Sequence, residues 1–107
     1  MEIIKALEVF ASLSQETRLR VFKLLIEYGH DGLFPSAIAE KLKVPDNTLS
    51  FHLSHMAKAG LVTSKKNGRS ITYFANNSLS KELICYLKEN CCEKEARTSI
   101  SKKVRKC

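Results

Sequence analysis

The 107-residue chain has no apolar run near the ~18 residues that a bilayer-spanning helix requires, and its N-terminus lacks the apolar core of a secretory signal. Both absences point to a cytoplasmic protein with no membrane partner. It also lacks a glycine-rich phosphate loop, paired carboxylates and a Ser-His-Asp setting, which argues against an enzyme. There is no internal repeat. No cysteine precedes Cys85, and Cys85, Cys91, Cys92 and Cys107 all fall in the last quarter of the chain. In a reducing compartment such residues serve as thiols, ligands or redox sensors rather than as a disulfide framework.

The most informative absence is of one charge. No acidic residue lies between Asp46 and Glu82, while Lys58, Lys65, Lys66, Arg69 and Lys81 fall inside that stretch. A segment free of carboxylates approaches phosphates without like-charge repulsion. Charge alone favours the blander reading, a solvated basic face. The formal net charge of +7 is unevenly spread: residues 1–92 hold 12 basic and 9 acidic side chains, residues 93–107 hold 6 and 2.

What is present reads as one domain over residues 1–92, followed by a flexible basic tail over 93–107, poor in apolar residues. A chain this short builds a modest core, which dimerisation would complete. The pattern is mainly α with a small β-hairpin. Apolar Ile3, Ile4, Leu7, Val9, Phe10 and Leu13 mark a first helix. Ser14 is the expected N-cap of a second helix through Leu19, Phe22 and Ile26, which Gly29 ends. Gly32-Leu33-Phe34-Pro35 reads as a loop and Ser36 as the cap of a short third helix. Val44-Pro45-Asp46 interrupts it, and a fourth helix runs from about Asn47 to Ala59. Two short helices across so brief a turn, Ala37 to Ala59, form a helix-turn-helix signature.

After Gly60 the period changes. Leu61 to Lys66 and Ser70 to Ala75 are rich in β-formers and flank Asn67-Gly68, a strong hairpin signal. A last helix is expected over Leu79 to Asn90, with Leu79, Leu83, Tyr86 and Leu87 on one side. The whole is a winged helix-turn-helix of order α-α-α-α-β-β-α.

On the fourth helix Leu49, Leu53 and Met56 share a narrow sector, so they face the core. Asn47, Phe51, Ser54 and His55 then project outward, with Thr48 and Ser50 on the flanks. These small hydrogen-bonding groups and one aromatic suit base edges in a major groove, where Phe51 would meet a thymine methyl. His52 lies at the core boundary, where packing and DNA contact are both open. Lys65, Lys66 and Arg69 bracket the hairpin tip, where they reach phosphates or a minor groove. The plainer reading has the lysines only guarding an edge strand.

Thr17-Arg18-Leu19-Arg20 followed by Leu24-Leu25, then Leu42, Ser50-Phe51-His52-Leu53 and Gly60-Leu61-Val62 resemble the ArsR/SmtB family of metal- and metalloid-sensing repressors, over residues 3 to 92. The resemblance implies a homodimer joined through its first and last helices. It implies binding to double-stranded operator DNA without a cofactor, and release when an inducer binds. The cysteine cluster that some members carry on the third helix is absent, since Ser36 to Leu42 holds no cysteine. Zinc-sensing members bind the metal across the last helices through His and carboxylate ligands; the last helix here has no histidine, which disfavours zinc sensing in that form.

What remains is Cys91-Cys92, a vicinal pair resembling that of an arsenic-responsive branch. A third thiol soon after the pair, found in some members, is missing; the next is Cys107, across 14 residues. Trivalent arsenic and antimony are thiophilic. Two thiolates suffice for a singly methylated arsenical, whereas inorganic arsenite takes three. Cys85, about 10.5 Å from Cys92 along a helix axis, reads as a small buried hydrophobe. Cys107 can loop back at a modest entropic cost, beside cations that favour its thiolate; it reads equally as a loose terminal residue. The expected inducer is thus trivalent arsenic, inorganic or methylated, or antimony, held by Cys91, Cys92 and Cys107. The alternatives are a thiol-redox-sensing repressor and a winged-helix DNA-binding protein without metal response.

Overall fold

A computed structural model describes residues 1–96 of the chain; Cys107 and most of the basic tail lie outside the described residues. The described residues form five α-helices, α1 (Ile3–Leu13), α2 (Glu16–Tyr28), α3 (Pro35–Leu42), α4 (Asp46–Lys58) and α5 (Asn77–Lys88), a short 3-10 turn at Gly29–Asp31, and an antiparallel hairpin of β1 (Val62–Asn67) and β2 (Ser70–Ala75). This is the winged helix-turn-helix order read from the sequence. Among the described residues no helix is long and apolar enough to cross a membrane.

The core gathers one stripe from each element. Val9 of α1, Val21 and Leu25 of α2, Ile38 of α3, Leu49 and Met56 of α4, and Leu61 before the wing are fully buried. α2 is central, but its inward stripe is Val21, Phe22 and Leu25; Leu19 and Ile26, expected within the stripe, are both at least 40% exposed. A broad apolar helix has more than one candidate face, and the docking of α3 and α4 selects among them.

Local chemistry explains the boundaries, with several corrections to the expected caps. Gln15, not Ser14, caps α2, its side chain accepting the Arg18 N–H. Ser14 instead closes α1, its hydroxyl donating to the Ala11 carbonyl. α3 starts on Pro35 rather than behind a Ser36 cap, since proline at the first helical position loses no bond the helix could make. Asn76 caps α5 through the Leu79 N–H, so that helix starts two residues earlier than expected and stops at Lys88 rather than Asn90.

The wing corrects the expected turn. Asn67 pairs with Ser70, so the two loop residues are Gly68 and Arg69, and of these only Gly68 has positive φ. Glycine at the first central position suits a II′ turn, so Asn67 belongs to the strand. The segment before α3 is not simply a loop. Leu33 bridges to Tyr73, the two exchanging backbone hydrogen bonds of 3.0 and 2.8 Å, which ties the wing's base to the helix-turn-helix.

Candidate nucleic-acid interface

α3 and α4 are joined by Lys43, Val44 and Pro45. Lys43 adopts a left-handed conformation with φ 58°, and the Val44 N–H donates to the Ala39 carbonyl, closing α3 before Pro45 redirects the chain. The packing of Leu49, Leu53 and Met56 then sets which way α4 faces. Asn47, Thr48, Ser50, Phe51, Ser54 and His55 are all exposed, and Phe51 keeps 64% of its surface. A groove of about 580 Å³ runs beside them, between Glu8 and Ala11 of α1 and Phe51, Ser54, His55 and Lys58 of α4. Lys65, Lys66 and Arg69 are exposed at the wing, on the strand ends and loop nearest its tip.

His52 is buried, 8% exposed, so the structure places it on the core side of α4. The Arg18 guanidinium lies 3.1 Å from its Nδ1 and donates through Nε to the Ser12 carbonyl at 2.7 Å. A guanidinium has no acceptor, so Nδ1 must accept and the ring is neutral. Burial, then the Arg18 charge, then His55 hold the His52 pKa below its ordinary value. The Ser12 hydroxyl, fully buried, lies 3.0 Å from His55 Nδ1. Lys5 donates to the Ala59 carbonyl at 2.9 Å, a cation at the C-terminal end of α4. Neither Ser12 nor Arg18 was a candidate site residue from the sequence. The available signal was a serine inside the apolar stripe of α1.

Cys91 and Cys92 lie beyond α5, not on it. Asn90 and Cys92 take positive φ of 61° and 66°, and the Cys91 N–H donates to the Lys88 carbonyl. Consecutive residues of a helix do not face one another. This turn instead brings the two sulfurs within 2.7 Å, both residues exposed. Its contact with the Cys91 thiol, with lesser contributions from desolvation and Glu95, pushes the Cys92 thiol up to about 11, so it is protonated at neutral pH. Cys85 is half-buried on α5, apart from the pair in sequence and setting. Among the described residues no group of three or more His, Cys, Asp or Glu is placed to hold a metal.

An exposed polar helix held across a short turn, beside a basic hairpin, defines a winged helix-turn-helix DNA-binding module. Residues 13–65 match a helix-turn-helix domain family. The chain is 38% identical over 80 residues to an uncharacterised helix-turn-helix-type transcriptional regulator of Methanocaldococcus jannaschii, covering 75% of this chain and 88% of that protein. An ArsR-like transcriptional regulator from Rhodococcus superposes with a TM-score of 0.73 at 31% identity, over 84% of this chain and 82% of the other. The cadmium resistance transcriptional regulatory protein of Listeria innocua is 35% identical over 68 residues, 64% of this chain and 56% of that protein. The chain belongs to the ArsR family of helix-turn-helix transcriptional regulators. These relatives are regulators of transcription.

Proposed function

We propose that the chain is a metalloid-responsive repressor whose dimer binds operator DNA and lets go when Cys91 and Cys92 take up a trivalent arsenical or antimonial. The observation that carries this reading is the turn after α5, which points two adjacent exposed thiols at one another. Two thiols on a surface turn, which give up their protons as they bind, match a soft, thiophilic centre better than any hard cation. The similarity to a cadmium resistance regulator adds support, since cadmium is also thiophilic. Cys91 and Cys92 supply two thiols, and among the described residues no group of three or more possible metal ligands lies together, which favours a singly methylated arsenical unless Cys107 adds the third.

Asn47, Thr48, Ser50, Phe51, Ser54 and His55 read the major groove, while Lys65, Lys66 and Arg69 hold phosphates. Ile3, Ile4 and Leu7 of α1, with Ile84 and Leu87 of α5, are large apolar side chains more than half exposed and meet a second copy. The thiol pair directly follows α5, so filling it shifts the dimer helix and with it the spacing of the two recognition helices. By linkage, operator DNA weakens inducer binding by the same factor, typically about 1–3 kcal/mol.

The test is release of bound DNA by arsenite, a methylated trivalent arsenical, cadmium, zinc and peroxide. Cys91→Ser and Cys92→Ser proteins should bind DNA like the parent and fail to release it. If they release it as readily, the sensor assignment is wrong. Loss of the arsenite response alone in Cys107→Ser makes Cys107 the third ligand, and a response to peroxide alone makes the switch a redox one.

A further inference from the structure

We infer that Arg18 and Ser12 are positioning residues that set the angle of the recognition helix, through His52 and His55, and thereby the sequence selectivity of DNA binding. The inference rests on the reading of α4 as the base-contacting helix.

Three features carry it. First, Ser12 and His52 are the buried polar side chains of the described core, and both belong to one network. Buried polar groups persist where their partners fix a geometry. Second, the network spans three elements. Arg18, on α2, grips the Ser12 carbonyl at the end of α1 and His52 in the middle of α4, while the Ser12 hydroxyl meets His55 one turn further along α4. Apolar packing alone tolerates small rotations of α4, whereas two directional contacts three residues apart do not. Third, His55 is on the exposed face, and its Nδ1 is occupied by Ser12. Only Nε2 remains for DNA, on a ring whose orientation α1 holds.

The charged and titratable groups around His52 are Arg18 from α2 and His55 from α4, with the carbonyl and hydroxyl of Ser12 from α1; Glu8 of α1 lines the same groove as His55. None of these is a carboxylate in contact with His52, so nothing there favours a charged ring. Since α1 also carries the exposed apolar face proposed to meet a second copy, the network connects dimer contact to DNA readout by hydrogen bonds.

The probe is a duplex selected from a random-sequence pool by the parent protein, compared with a scrambled duplex of equal length. A parent that selects no sequence overturns the DNA-reading assignment, and the inference with it. Given selection, Ser12→Ala and His52→Leu should each lower the ratio of selected to scrambled affinity about fivefold or more, the scale of removing one ordinary hydrogen bond. Affinity for the scrambled duplex should stay near the parent's, because the wing cations are untouched. His52→Asn separates positioning from mere stability. Its Oδ1 falls where Nδ1 was, so it should restore the ratio, while His52→Gln, one carbon longer, should not. Ser12→Ala guards against misfolding, since it leaves the carbonyl that Arg18 uses. Unchanged ratios in Ser12→Ala and His52→Leu overturn the inference. So do parallel losses on both duplexes that follow the melting temperature and are not rescued by His52→Asn.

Discussion

At Gly32 the backbone takes φ 63°, and a Cβ would stand 2.6 Å from the Tyr73 carbonyl oxygen and 2.7 Å from side-chain atoms of Phe74 and Thr72. That carbonyl accepts the Leu33 N–H, so the crowded atom is also the one that anchors the wing. Gly32→Ala should therefore cost roughly 2–4 kcal/mol, combining left-handed strain with overpacking. Gly68→Ala is the control: φ is 66°, but nothing lies within 4 Å of the added carbon, so about 1–2 kcal/mol of conformational cost is expected. Denaturant melts of the two should differ in that order, and equal costs would remove the close approach from the account. His52 makes a second residue-scale prediction. Its folded pKa lies below the ordinary His value near 6.5, so the unfolded chain takes up this proton first as the pH falls. The stabilising share of His52 is complete above about pH 6.5 and declines as the pH drops toward the folded pKa. In His52→Asn, melts between pH 7.5 and 5.5 should lose that part of the slope. An unchanged slope would place the proton uptake on another group.

At the scale of elements, the proposed function divides the work between α4 and the wing. Phe51 is 64% exposed and contributes little to the core, so Phe51→Ala should leave the melting temperature within experimental error. The same change should weaken binding to the selected duplex by about 1 kcal/mol or more. Replacing Lys65, Lys66 and Arg69 by Gln should act differently, reducing affinity for any duplex and flattening the salt dependence by about 0.9 in log–log slope for each phosphate no longer neutralised. A salt slope equal to the parent's would return those cations to a purely edge-guarding role. The elements themselves were largely legible in the sequence because their signals are local: the period of Leu49, Leu53 and Met56, the break at Val44-Pro45, and glycine in the hairpin. The caps were less so. Ser14 is the residue type that caps helices, but its hydroxyl is taken by the Ala11 carbonyl of α1, and Gln15 serves α2 in its place. The Leu33–Tyr73 bridge joins residues 40 apart, and the Arg18–Ser12–His52 network joins three helices. Neither leaves a periodic trace. For Cys91 and Cys92 the sequence showed adjacency, but not that a positive-φ turn makes two consecutive side chains converge.

At the scale of the whole molecule, the exposed apolar surface is concentrated where a second copy would use it. Ile3, Ile4 and Leu7 on α1, and Ile84 and Leu87 on α5, are each more than half exposed, while the same two helices bury Val9, Leu79 and Leu83 against the core. A helix that is apolar on both its inner and outer faces is not explained by one subunit. The double substitution Leu7→Glu with Leu87→Glu should leave the core side chains untouched and put like charges into the proposed contact. The expected product is a folded monomer by light scattering, with helical content near the parent's, while the parent is a dimer at the same micromolar concentration. Binding should fall with it, because a monomer engages one half-site and forgoes the gain from linking two. The salt slope should also drop toward half the parent value, since the phosphates neutralised per bound complex are halved. A variant that remains dimeric moves the interface elsewhere. One that becomes monomeric yet binds the selected duplex with the parent's affinity and slope would show that α1 and α5 do not set the reading frame of the two recognition helices. In that case the thiol pair after α5 would have no lever on the DNA.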